Sequence, residues 1–147
     1  MVLPVVVMFL TFGYAALAIV RSSAGELKQP LPPSLDNLAA SRLVEIRDVD
    51  GRVVLSGNFT LTTKRDGEIE GAAPLTASGV DPDAEGVAEI EISNEKNNVV
   101  EKELEIEVRN LAANSSYNLF IDGEQAATFK TNPRGVAELE LTNQPSS

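Results

Sequence analysis

Two pairs of aspartates, Asp48 with Asp50 and Asp81 with Asp83, have the type and spacing that best fit a metal site. Both pairs adjoin turn sequences, and carboxylate oxygens are the ligands that Ca²⁺ prefers. The complete calcium-loop pattern of an EF-hand is missing from the sequence. The four aspartates are therefore candidate Ca²⁺ ligands, with ordinary solvated turn residues as the alternative.

Catalytic side chains are scarce in this chain of 147 residues, which contains neither His nor Cys. The usual general base near neutral pH and the thiolate nucleophile are thus both excluded, as are disulfides. No serine lies in a G-x-S-x-G elbow, and no catalytic carboxylate pair stands out among 22 acidic residues. The sequence predicts a non-enzymatic protein without a cofactor, Ca²⁺ excepted.

The charge balance restricts the partners. Acidic residues number 22 against 12 basic ones, a formal net charge of −10. Binding to nucleic acid requires clustered Lys and Arg, and anionic membrane surfaces attract the same residues. We expect no nucleic-acid partner, and a protein of the cell envelope or exterior as the partner.

Glutamates occupy every second position in three segments: 101–107, 89–91 and 138–140. Alternation places the glutamates of each segment on one face of a strand, and we expect that face to be solvated. Like charges directly opposite each other destabilise a sheet. The three strands should therefore not be neighbours unless cations or basic side chains lie between them.

The apolar pattern after residue 42 has the period of two that is typical of half-buried strands. Turn sequences such as Asp50-Gly51, Asp66-Gly67 and Asp122-Gly123 separate the apolar stretches. The predicted strands are 43–47, 53–63, 68–76, 87–93, 104–108, 116–122, 125–131 and 136–142. An antiparallel all-β fold of about eight strands follows.

An internal repeat divides the domain. The stretch from Gly86 to Asn94 recurs as Gly135 to Asn143, with Ala88 and Ile90 matching Ala137 and Leu139. Shorter matches precede both copies in the same order. Two related halves, about 43–94 and 104–143, would each bury one apolar face against the other as a β-sandwich. Similarity between unrelated strands that share turn chemistry is the alternative.

The closing Gly-Xaa-Ala-Glu-hydrophobic-Glu strands resemble those of uncharacterised β-sandwich segments in exported bacterial proteins. The resemblance covers about residues 43–143 and implies fold and compartment, with no activity or site residues.

An uncharged apolar segment of residues 2–20 opens the chain, about 28 Å long as a helix and close to the thickness of a bilayer. It predicts a transmembrane anchor within residues 1–24, or alternatively a signal peptide cleaved near Ala24. The prolines of 25–41 predict an extended linker to a domain at 42–147.

These patterns together predict a non-enzymatic interaction or structural module, anchored in a membrane and facing the periplasm or the cell exterior. Cleavage near Ala24 would make it a secreted protein instead. A Ca²⁺-stabilised adhesion or extracellular-matrix domain is the alternative function.

Overall fold

The structure is a computed structural model that describes residues 26–94 and 99–144. The described residues form strands and two short 3₁₀ helices, Pro33–Leu35 and Leu38–Ala40, which confirms the all-β class. The strands are β1 (Glu26–Pro30), β2 (Leu43–Arg47), β3 (Val53–Asn58), β4 (Thr60–Thr63), β5 (Ile69–Ala77), β6 (Glu85–Asn94), β7 (Val100–Arg109), β8 (Ser116–Ile121), β9 (Glu124–Lys130) and β10 (Ala137–Thr142).

All ten strands belong to one sheet in the order β1-β10-β7-β6-β5-β3-β2-β8-β9, with β4 paired to β5. The sheet curls until its two ends meet, where the Gln29 side-chain amide donates a hydrogen bond of 3.2 Å to the Thr128 carbonyl. The result is a nearly closed, barrel-like sheet and not the predicted eight-stranded sandwich. Alternating apolar residues indicate which face is buried, but they do not distinguish two facing sheets from one curled sheet.

Strand β5 links two parts of the curled sheet, because it pairs with different strands along its length. Its first half pairs with β4, and near its end Thr76 and Ala77 pair with Ser56 and Leu55 of β3. Close approach of the chains is needed there, since a Cβ on Gly57 would overlap the carbonyl of Pro74. Gly57 thus permits the close contact between β3 and β5 that links the two parts of the sheet.

The core fills the inside of the curled sheet. Ala88, Ile90, Leu139 and Leu141 are almost fully buried in it, as their alternation predicts. Leu38, which has no exposed surface, belongs to the same core, and its 3₁₀ helix contacts β6.

The sheet order does not reproduce two equivalent halves. The repeated segments form β6 and β10, which lie on opposite sides of β7 and both pair with it antiparallel. The other neighbour of β6 is β5, whereas that of β10 is the parallel strand β1. The repeated sequences therefore have similar inward-facing residues in non-equivalent sheet positions.

The segment predicted as a linker, 25–41, contributes to the fold from Glu26 onward. β1 pairs with β10, and Leu35 and Leu38 are buried. The prolines only prevent an α-helix here; they still allow an edge strand and 3₁₀ turns. The predicted anchor or signal at 1–24 lies outside the described residues, and no helix within the described part of the chain is long and apolar enough to cross a bilayer.

Candidate functional site: a glutamate face and an end groove

The sheet face opposite the core carries an array of glutamates on four adjacent strands. Residues directly opposite each other in neighbouring strands share a face, so the strand register identifies the members. They are Glu70 of β5, Glu89 and Glu91 of β6, Glu101, Glu103, Glu105 and Glu107 of β7, and Glu138 and Glu140 of β10. We call this set the glutamate face.

The glutamate face is largely buried, which corrects the expected solvated surface. Glu89, Glu105, Glu107, Glu138 and Glu140 are only 4% to 8% exposed. Alternation predicted correctly that these side chains share a face. It does not report whether that face is covered.

The three glutamate-bearing strands are neighbours, an arrangement that was expected only with cations or basic side chains between them. β7 lies directly between β6 and β10, so Glu105 faces Glu89 on one side and Glu140 on the other. Glu91 faces Glu103, and Glu107 faces Glu138. On the opposite face Ile90, Leu104 and Leu139 pack in the core, and this inward packing fits the same register.

Carboxylate oxygens of Glu103, Glu105 and Glu140 lie within 4.8 Å of one another. Carboxylates this close in a partly buried setting cannot all be ionised without compensation. Their approach does not by itself define a metal site, because shared protons produce the same geometry.

Two half-buried glutamates of this face, Glu103 and Glu91, have raised pKa values. Burial, a hydrogen bond with Glu101 and the charges of Glu140, Glu101 and Glu91 raise the pKa of Glu103 from 4.5 to about 8. Burial and the charge of Glu70 likewise raise the pKa of Glu91. Both glutamates therefore hold protons more tightly than an exposed carboxylate does.

At one end of the sheet, three loops surround a groove of about 490 Å³. Asp48 and Asp50 lie in the loop after β2, and Asp81 lies in the loop after β5. Ser115 ends the loop between β7 and β8, and Tyr117 lies in β8. Three of the four candidate Ca²⁺ ligands thus line one groove.

The fourth candidate, Asp83, lines a neighbouring depression with Glu85 and Asn110. In the sequence, Asp81 and Asp83 form a pair separated by Pro82. In the structure, the two aspartates line adjacent sites.

Asp48 already has partners within its own turn. Its carboxylate accepts backbone hydrogen bonds from Asp50 at 3.0 Å and Arg52 at 2.9 Å, and Arg52 Nε donates at 2.8 Å. Slight burial raises the pKa of Asp48, but the bonds and charge of Arg52 outweigh it and the pKa is lowered overall. A cation here would have to compete with Arg52.

Sequence reasoning missed two features of these sites. The exposed Val49 and Val80 line the same groove, 72% and 43% exposed, although apolar loop residues give no periodic signal. The adjacency of β6, β7 and β10 depends on pairing between distant segments of the chain, which local sequence patterns do not report.

Comparison of the chain with known protein families, with curated proteins and with solved structures gave no match.

Proposed function

We propose that this protein is a non-enzymatic interaction or structural module, displayed outside the cytoplasm and held by its apolar segment 2–20. The absence of His and Cys and the acidic charge support this class. The resemblance to segments of exported bacterial proteins and the apolar segment support the compartment.

The observation that carries the proposal is the end groove. Val49 and Val80 are exposed beside it on loops that a continuous sheet supports. Loops on a rigid scaffold commonly carry recognition, and clustered exposed apolar residues are typical of binding surfaces. A protein partner would bury the two valines and find acidic groups at the rim.

The binding test uses the full chain as bait in an envelope extract of the source organism. We expect Val49→Asp to lose a partner that the wild type retains. Val99→Asp is the matched control, because Val99 is 45% exposed and precedes β7, whereas the groove lies beyond the other end of that strand. Equal retention by both variants would contradict recognition through the groove.

The compartment is tested separately with a topology reporter fused after Ser147. The proposal expects an extracytoplasmic signal, and a cytosolic signal would overturn it. N-terminal sequencing of the mature protein distinguishes a retained anchor, beginning at Met1, from a signal cleaved before Gly25.

A Ca²⁺-stabilised adhesion or matrix domain is the second candidate, favoured by the convergence of Asp48, Asp50 and Asp81. A ligand that binds only the folded state raises the melting temperature. We expect millimolar Ca²⁺ to raise it relative to EDTA, and Asp81→Asn to reduce the rise. No shift with Ca²⁺ would eliminate this candidate.

A further inference from the structure

Glu103 lies near the centre of a set of acidic neighbours drawn from three strands. Glu91 of β6 is directly opposite Glu103, and Glu101 and Glu105 flank it on β7. On the other side, its direct partner in β10 is Thr142, and Glu140 contributes a further negative charge. Glu103 thus has like charges along its own strand and across both neighbours.

Positive charges among the described residues lie farther out. Lys64, before β5, pairs with Glu70. Its charge lowers the pKa of Glu91, but by less than the charge of Glu70 raises it. Lys28 of β1 is exposed and opposite Glu140.

Lys102, a further basic residue of β7, points away from Glu103. Lys102 contacts the Asp36 carboxylate at 3.8 Å, and its position between Glu101 and Glu103 places it on the opposite face of β7. Among the described residues, basic side chains therefore act only weakly on Glu91 and Glu103, and protons can neutralise these two carboxyl groups.

Glu101, which shares this face of β7 two residues away, adds to the raised pKa of Glu103 through a side-chain hydrogen bond. Two carboxylates can form such a bond only when one of them is protonated and donates. Adjacent carboxyl groups that share protons titrate together, and one of their pKa values lies well above that of an ordinary glutamate.

We propose that the glutamate face is a proton-dependent lock: protons held by Glu91 and Glu103 keep β6, β7 and β10 paired, and their loss at alkaline pH loosens this part of the sheet. The module is then tightest in mildly acidic surroundings.

The direction in which stability changes with pH follows from proton linkage. The pKa of Glu103 is about 8 in the folded protein against 4.5 for the ordinary group, so the folded state binds more protons between these values. The stabilisation is fully present below the ordinary pKa. It declines as the pH rises and is lost as the pH passes through the folded value.

The test is thermal unfolding of the full chain at about pH 5 and about pH 9, with EDTA throughout so that metal ions cannot replace protons. We expect the wild-type melting temperature to fall by several degrees at the higher pH. Glu103→Gln, which mimics the protonated group, should flatten this dependence and melt above the wild type at alkaline pH. Glu124→Gln, on the exposed start of β9, should keep the wild-type profile.

A wild-type melting temperature that does not fall, or a Glu103→Gln profile parallel to the wild type, would overturn the proposal. If Glu103→Gln does not fold, carbon-13 titration of the wild-type glutamate carboxyl groups decides. A glutamate that titrates far above the ordinary range supports the lock, and ordinary values for every glutamate refute it.

Discussion

Asp122 accepts a 2.8 Å hydrogen bond from the backbone N–H of Leu43, a residue that is 79 positions away in the chain. Asp122 has φ +51° and Gly123 has φ +85°, the left-handed conformations that a tight hairpin turn requires. The turn between β8 and β9 therefore also anchors the first residue of β2.

Replacing Asp122 by Ala should destabilise the protein by about 1 to 3 kcal/mol, because Leu43 and Arg42 lose their acceptor. Asp122→Asn keeps an acceptor oxygen and tolerates positive φ, so its cost should be small. Urea unfolding measures both changes. Equal losses for the two variants would mean that the hydrogen bonds to β2 do not matter.

Gly135→Ala should be much more damaging than Gly51→Ala. Both glycines have positive φ, which costs a residue with a Cβ about 1 to 2 kcal/mol. A Cβ at position 51 meets no atom within 4 Å, whereas one at position 135 would overlap the backbone of Leu111. Thermal melting of both variants should separate strain alone from strain with overlap, and similar melting temperatures would contradict this account.

Leu38→Ala should cost about 2 to 5 kcal/mol, since it empties a fully buried site in the core. Val80→Ala, at an exposed loop position, should change the free energy of unfolding by less than about 0.5 kcal/mol. Denaturant titration checks both values. A neutral Leu38→Ala would show that the segment before β2 is a dispensable spacer.

Asp48→Asn should reduce stability at neutral pH and make the protein less sensitive to acid. The lowered pKa of Asp48 means that its ionised form is favoured by folding. Its contribution is present above the ordinary value of 3.8 and is lost as the pH falls through the folded value. Melting at about pH 6 and about pH 3 in EDTA measures this, with Asp83→Asn as the control. Parallel profiles for both variants would contradict the role of Asp48.

Local patterns were sufficient for much of the strand content. The segment 43–47 was predicted with the bounds that β2 has. The apolar residues Ala88, Ile90 and Leu139, which alternate with glutamates, are buried. Alternation is a property of the backbone itself, so side chains two residues apart must share a face. The stretch 53–63 was predicted as one strand, although Gly57 and Asn58 directly precede the break at Phe59 between β3 and β4.

The sequence by itself determined the all-β class, the turns at Gly51 and Gly123, and the absence of His and Cys, because composition and local backbone preferences are encoded residue by residue. Only the tertiary structure decided that β7 lies between β6 and β10, that five glutamates are buried, and that Val49 and Val80 line one groove with Asp48. Strand order and the cover over a face depend on contacts between distant residues. Many chains with the same alternation could satisfy these contacts differently, so the packing of the whole core makes the choice.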